Sequence, residues 1–165
     1  MGMYGDKGWT AKRGVKKILA SNMWDSTNLE DPEFEGYEQF KGVTGETAQR
    51  LLDVLPSENR RDRQNDGPEC GELLGLAASW PGVIRVDGYV IGGGRFDERV
   101  TVDCLRFRTV KRHADPKSYW PDATEGGVWS TLKTLLGLRT ELGAPEEVRF
   151  DTDSDGFIEC TMWWD

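Results

Sequence analysis

Alternating arginines make the sharpest cluster of chemistry-bearing side chains in this chain. In the run from Arg106 to His113, Arg106 and Arg108 stand two residues apart, Lys111 and Arg112 follow, and Arg95 and Arg99 lie upstream. On a strand, that spacing sends Arg106 and Arg108 to one face and Phe107 to the other. A row of guanidinium groups suits phosphate contact, and Tyr119 and Trp120 downstream offer rings on which bases stack. The same pattern also describes a solvated strand face whose charges meet the chain's own acids.

Nucleophile and cofactor chemistry is thinner. Cys70, Cys104 and Cys160 are an odd set of three without CxxC spacing, which reads as reduced thiols in a core. His113 is the only histidine, so one chain holds no two-His ligand pair, and a Cys–His nucleophile requires His113 to meet one of those thiols. There is no GxSxG elbow and no GxxxxGK[ST] loop, and nothing singles out one acid–base pair among 29 Asp and Glu residues. Gly92-Gly93-Gly94 sits between two strand patterns, so a flexible hairpin loop fits it better than a phosphate cradle. No motif implies a cofactor.

The stretch Asp151–Glu159 reads DTDSDGFIE. Its start resembles the calcium loop of EF-hand proteins: Asp151, Asp153 and Asp155 match alternating oxygen ligands, Gly156 the tight bend, and Ile158 the apolar residue after it. The closing bidentate carboxylate of that loop falls on Met162, and the flanks read as strands. The expectation is a hairpin turn without bound metal, with a weak site at Asp151, Asp153 and Asp155 as the alternative.

Charge is unevenly distributed around a net −8. Residues 1–20 carry five Lys and Arg against one Asp, and residues 83–113 seven against four acids. Residues 21–46 carry seven acids against Lys41, and residues 144–165 seven against Arg149. Such blocks pair internally or face a partner. An acidic body argues against sequence-independent DNA binding, since the phosphate backbone repels it. Glu33, Glu35 and Glu38 are the acids best placed to meet a basic partner. Trp163 and Trp164 must point to opposite faces of a strand, so one of them is available for an interface.

The elements that position these groups follow from pattern. Residues 10–20 suit one short basic helix weakened at Gly14. Residues 24–42 lack any period and read as an extended acidic arm whose Trp24, Phe34, Tyr37 and Phe40 dock on the body. Thr44 reads as the N-cap of a helix stopped by Pro56, and Pro68 opens a helix that runs to Pro81. Residues 83–91 and 100–109 alternate as a β-hairpin. In the second of these strands, Val100, Val102, Cys104, Arg106 and Arg108 share a face, so either a bulge flips the chain near Leu105 or the strand outgrows the core. A helix over about 125–142 stops at Gly143 and Pro145, and residues 146–151 and 157–164 form a second hairpin.

The expected fold is therefore α+β, with a largely antiparallel four-stranded sheet of two hairpins and helices packed on one face. Residues 1–42 form a basic helix and acidic aromatic arm, and residues 43–165 a single domain. At 165 residues, with 37% hydrophobic side chains and seven Trp, the chain encloses a core without disulfides or metal. No apolar run approaches the ~18 residues of a membrane span, and no signal-peptide pattern occurs, which points to the cytoplasm. The function class left is a small acidic non-enzymatic binding protein, an inhibitor or adaptor of bacterial or phage type that docks on a protein. The alternatives are a phosphate-ligand or nucleic-acid binder using Arg106, Arg108 and Arg112, and an enzyme without a recognisable motif. Oligomeric state is not written in the pattern.

Overall fold

The computed structural model describes residues 1–24, 27–111, 125–139 and 141–164. Period-two alternation produces strands where it is expected. β2 (Ile84–Ile91) pairs antiparallel with β3 (Arg99–Lys111), and β4 (Glu147–Thr152) pairs with β5 (Phe157–Trp163). Because β3 also pairs with β5, both hairpins share one sheet.

That sheet has five strands rather than the expected four. β1 (Tyr37–Val43), inside the stretch read as an extended arm, pairs antiparallel with β2, and the spatial order is β1-β2-β3-β5-β4. Its alternation is hidden by a bulge. Phe40 pairs with Gly88 and Val43 with Val86, so β1 holds one residue more than β2 across this interval. Gly42 takes φ +68°, and its N–H donates to Asp87 Oδ1 at 2.7 Å.

Six helices accompany the sheet among the described residues: α1 (Trp9–Lys12), α2 (Val15–Leu19), α3 (Gly45–Val54), α4 (Ser57–Arg60), α5 (Cys70–Ser79) and α6 (Glu125–Leu135). The single basic helix expected near the N-terminus is split into α1 and α2 at Gly14, whose φ is +69°. Thr44 does precede α3, but its hydroxyl donates to Ile84 O at 2.7 Å and accepts from Gly82 N at 3.1 Å instead of capping the helix. α6 ends earlier than expected because Gly137 adopts φ +67°. Leu138 N then donates to Lys133 O at 2.9 Å and Gly137 N to Thr134 O at 3.2 Å, a Schellman stop. None of these helices is long and apolar enough to cross a membrane.

One core joins the layers. Ile84, Val86 and Val90 of β2, Val100, Val102 and Leu105 of β3, and Cys160 and Met162 of β5 cluster with Leu51, Leu73, Leu74, Trp129 and Leu132 from the helices. Trp9, Val15, Leu19 and Leu29 belong to the same cluster, so the N-terminal third contributes to the core directly. Glu98, only 1% exposed, anchors it there. Its carboxylate accepts from Gly8 N and Thr10 N, both at 2.7 Å, and from Thr10 Oγ1 at 2.8 Å. The glycine before α1 and its second residue thus find their acceptor about ninety residues along the chain.

The face of β3 flips at a bulge. Val102 pairs with Gly88 and Cys104 with Asp87, which leaves Asp103 as the extra residue. Upstream of it Val100 and Val102 face the core. Downstream, Leu105 faces the core, and Cys104, Arg106 and Arg108 turn to the opposite, polar face with Arg85, Asp87 and Glu159.

Candidate functional site

On the polar face every described arginine of the row meets a carboxylate. Arg106 Nη2 lies 2.5 Å from Asp87 Oδ2, and Arg106 Nη1 lies 3.6 Å from Glu159 Oε1. Arg85 Nη1 approaches Glu159 Oε2 at 3.5 Å. Burial works against the charge of Arg106, but Asp87 and Glu159 hold its pKa above the ordinary value. Upstream, Arg99 faces Asp62 at 3.5 Å and Arg95 pairs with Asp97 at 2.7 Å. Arg112 lies outside the described residues, as do His113, Tyr119 and Trp120. What the structure brings together is a charge lattice across β2, β3 and β5, closed on itself rather than aimed outward.

The aspartate loop holds its own cation. Asp153 Oδ1 accepts from Asp155 N at 2.9 Å and from Phe157 N at 3.0 Å, which shapes the turn of the β4–β5 hairpin. Arg108 Nη2 stands 2.6 Å from Asp153 Oδ2 and 3.0 Å from Asp155 Oδ2, with its guanidinium 4.7 Å from the Phe157 ring centre. Burial opposes it, yet the two backbone N–H groups and Arg108 keep the Asp153 pKa below the usual carboxylate value. Asp151 lies opposite Glu159 in the β4–β5 register, and the ion pairs of Arg108 are with Asp153 and Asp155. No group of three metal-ligating side chains occurs among the described residues.

All three thiols are buried and unpaired. Burial and the nearby Asp87 push Cys104 up to about 12, and burial with Glu159 pushes Cys160 up to about 12. Burial likewise raises Cys70. None is a thiolate at neutral pH, so none is primed as a nucleophile.

The acidic segment before β1 has the opposite character. Its backbone is locked to Gly92-Gly93-Gly94: Gly92 N donates to Gly36 O at 2.8 Å and Gly94 N to Phe34 O at 2.9 Å. All three glycines are buried, so the run is a packed platform and not a flexible loop. A Cβ on Gly93 would lie 2.6 Å from Pro32 O, and one on Gly92 or Gly94 would collide with the carbonyl of Phe34 or Glu33. Glu33 and Glu35 project from this fixed backbone into solvent, while Glu38 on β1 is half-buried. Among the described residues no Lys or Arg forms an ion pair with these three carboxylates, although Arg95 lies near enough for Glu35 to help raise its pKa. Tyr37, 64% exposed, stands beside them and meets Tyr89 edge-on with ring centres 5.5 Å apart.

The two C-terminal tryptophans separate as alternation requires. Trp164, at 2% exposure, packs edge-on against Trp129 with ring centres 5.4 Å apart, so it serves the core rather than an exposed docking surface. Trp163 is half-buried on the polar face, where it lines a hollow of about 240 Å³ with Cys104, Thr161, Glu147 and Arg149.

No family model, curated protein or solved structure matches this chain. Its chemistry has to be read from its own side chains. Two features escaped the sequence reading. One is the platform role of the triple glycine, which depends on a segment far upstream. The other is a cleft of about 520 Å³ between residues 21–24 and β1, with Trp24 and Glu38 on its walls.

Proposed function

We propose that this chain is a non-enzymatic binding protein, an inhibitor or adaptor that docks on a basic surface of a protein partner through Glu33, Glu35 and Glu38. The observation that carries the reading is the locked backbone beneath unpaired carboxylates. Hydrogen bonds to Gly92 and Gly94 fix the backbone at residues 34–36, which lowers the backbone ordering cost of presenting the adjoining acids. Charge presented in this way steers a partner and speeds association. Tyr37 supplies an amphipathic ring at the same edge, and Trp163 offers a second, half-buried contact on the polar face. The internal pairing of Arg106 and Arg108 weighs against the phosphate reading, because those guanidinium groups would have to leave buried carboxylates to meet a ligand. Three buried, unpaired thiols suit a reducing compartment, and we place the protein in the cytoplasm on that ground.

The test begins with partners captured from host extract by the immobilised protein and identified by mass spectrometry. Each purified partner is then titrated against the wild type and against Glu33→Gln/Glu35→Gln/Glu38→Gln. The expected result is weaker binding by the triple variant, mainly through slower association, and a wild-type affinity that falls with added salt. A partner that binds the triple variant as well as the wild type overturns the reading.

A further inference from the structure

β1 stands at one end of the sheet, so one of its two sides has no full strand beside it. The hydrogen bonds around it tell which of its groups face that side. Gly36 O accepts from Gly92 N at 2.8 Å on the β2 side, whereas Lys41 N donates outward, to Asn22 O at 2.9 Å. Peptide groups alternate in direction along a paired strand, so Tyr37 and Gln39 point outward with Lys41, and Glu38 and Phe40 point to β2. Tyr37 and Gln39 are exposed, and among the described residues no acceptor meets their N–H groups on the outer side. The chain itself shows that this edge takes a strand. Its residues 22–23 already occupy the far end, where Asn22 Nδ2 donates to Lys41 O at 2.8 Å and Met23 bridges Phe40 in antiparallel sense. The cleft of about 520 Å³ reaches both Glu38 and Gln39. Neighbouring residues of a strand turn to opposite faces, so a hollow that reaches both lies at the edge itself.

An open edge binds another strand through main-chain hydrogen bonds, and the side chains along it select the sequence. Here those side chains are acidic. Glu33 and Glu35 are exposed just ahead of β1 and Glu38 is half-buried within it. Residues 21–46 hold seven acids, and Lys41, their one base, sits at the end that Asn22 already occupies. Such a flank draws cationic chains. A second copy of this chain is a poor occupant, because each copy brings a net −8 and the same acids. We infer that the open edge of β1 receives an extended segment of the protein partner, with Lys or Arg at alternate positions, as a sixth strand beside Tyr37 and Gln39. A residue of that strand placed opposite Glu38 shares its face, so alternate basic residues follow the acidic side. This rests on the acidic-docking reading above and adds main-chain pairing to it.

The experiment uses the full chain and capped peptides in which Lys, Gln or Glu alternates with Thr, titrated by calorimetry at about 0.15 M salt. The Lys peptide is expected to bind, the Gln peptide more weakly and the Glu peptide not at all. N-methylation removes backbone donors and keeps the charge. Methylating alternate nitrogens of the Lys peptide should therefore weaken it about fivefold or more in the register that faces β1, and much less in the other. Amide hydrogen exchange at Tyr37 and Gln39 should slow when the unmethylated Lys peptide is added. Gln39→Pro deletes one outward N–H of an edge strand and should weaken the Lys peptide about fivefold. The methylated peptides put the same question to the wild-type chain, so the test survives a variant that folds poorly. Equal affinity of both methylated registers, with unchanged exchange at Tyr37 and Gln39, overturns strand addition and leaves acidic docking standing. Equal binding of the Lys and Gln peptides overturns it too, as does preference for the Glu peptide or for a short single-stranded oligonucleotide. A dimer of the free chain that Gln39→Pro dissolves would assign the edge to a second copy and overturn it as well. If the Lys peptide pairs as expected but captured partners ignore the triple Glu variant, the docking reading fails and the strand site survives.

Discussion

The arginine row of β3 and the acidic segment before β1 look alike as sequence, each a dense run of one charge beside aromatic residues. In three dimensions they behave in opposite ways. Arg106 and Arg108 find Asp87, Glu159, Asp153 and Asp155 across the sheet and the adjoining hairpin turn. Glu33 and Glu35 sit on a backbone fixed by glycines and form no ion pair among the described residues, with Arg95, itself held by Asp97, the cation that Glu35 acts on. Whether a charged run is available to a partner thus depends on what its neighbours across the ladder carry, more than on its own density.

The contrast is most exposed to attack at Arg106. Arg106→Gln leaves the carboxylates of Asp87 and Glu159 with less compensation, and should cost about 2–3 kcal/mol in urea unfolding. A loss below ~0.5 kcal/mol would mean that the lattice is loose and the row is free after all. Next in size is the platform. Gly94→Ala drives a Cβ into the Glu33 carbonyl and should cost about 1–2 kcal/mol. Hydrogen exchange at the Gly92 amide should accelerate in the same variant; unchanged protection there would show that the acidic segment is not held by the glycines.

A smaller effect comes from Asp153, and pH reveals it. Its folded pKa is depressed, so its stabilisation is present above the unfolded value of about 3.9 and is lost as pH falls through the folded pKa. Wild type should therefore exceed Asp153→Asn in stability by a constant margin at neutral pH, and the two curves should converge in acid. A margin that persists undiminished at the lowest pH would remove Arg108 and the turn amides as its source. Smallest of all should be Glu33→Gln/Glu35→Gln, within about 0.5 kcal/mol of wild type because these acids are exposed and unpaired. A larger drop would reveal a structural partner for them and bring the two regions closer together.

Both hairpins and the helix between them were legible from local spacing, as the alternation of Ile84, Val86 and Val90 and the buried Val128 and Leu132 of α6 show, whereas Leu135 of the same helix is 68% exposed. β1 was not, because the bulge around Gly42 puts Phe40 and Val43 three residues apart and spoils the period. The end of α6 was misplaced because Gly143 with Pro145 looked like the stronger stop, whereas Gly137 already turns the chain. The availability of charge was least legible. The pairing of Arg106 depends on the bulge at Asp103, which decides the face, and on Asp87 and Glu159, which belong to other strands. The cleft at Trp24 gave no local signal either, because it exists only once Met23 bridges Phe40.

The Glu98 anchor has a consequence for the order in which the chain assembles. Gly8 and Thr10 are synthesised well before the carboxylate that accepts their N–H groups, so those two donors have no acceptor when they emerge. Closing a loop of that length costs entropy before any contact is made. The N–H groups of Gly8 and Thr10 must therefore stay with water until the β2–β3 connection that carries Glu98 has formed. On the ribosome this interval is when the nascent chain most needs a holding chaperone, and in refolding from urea the N-terminal segment should dock last.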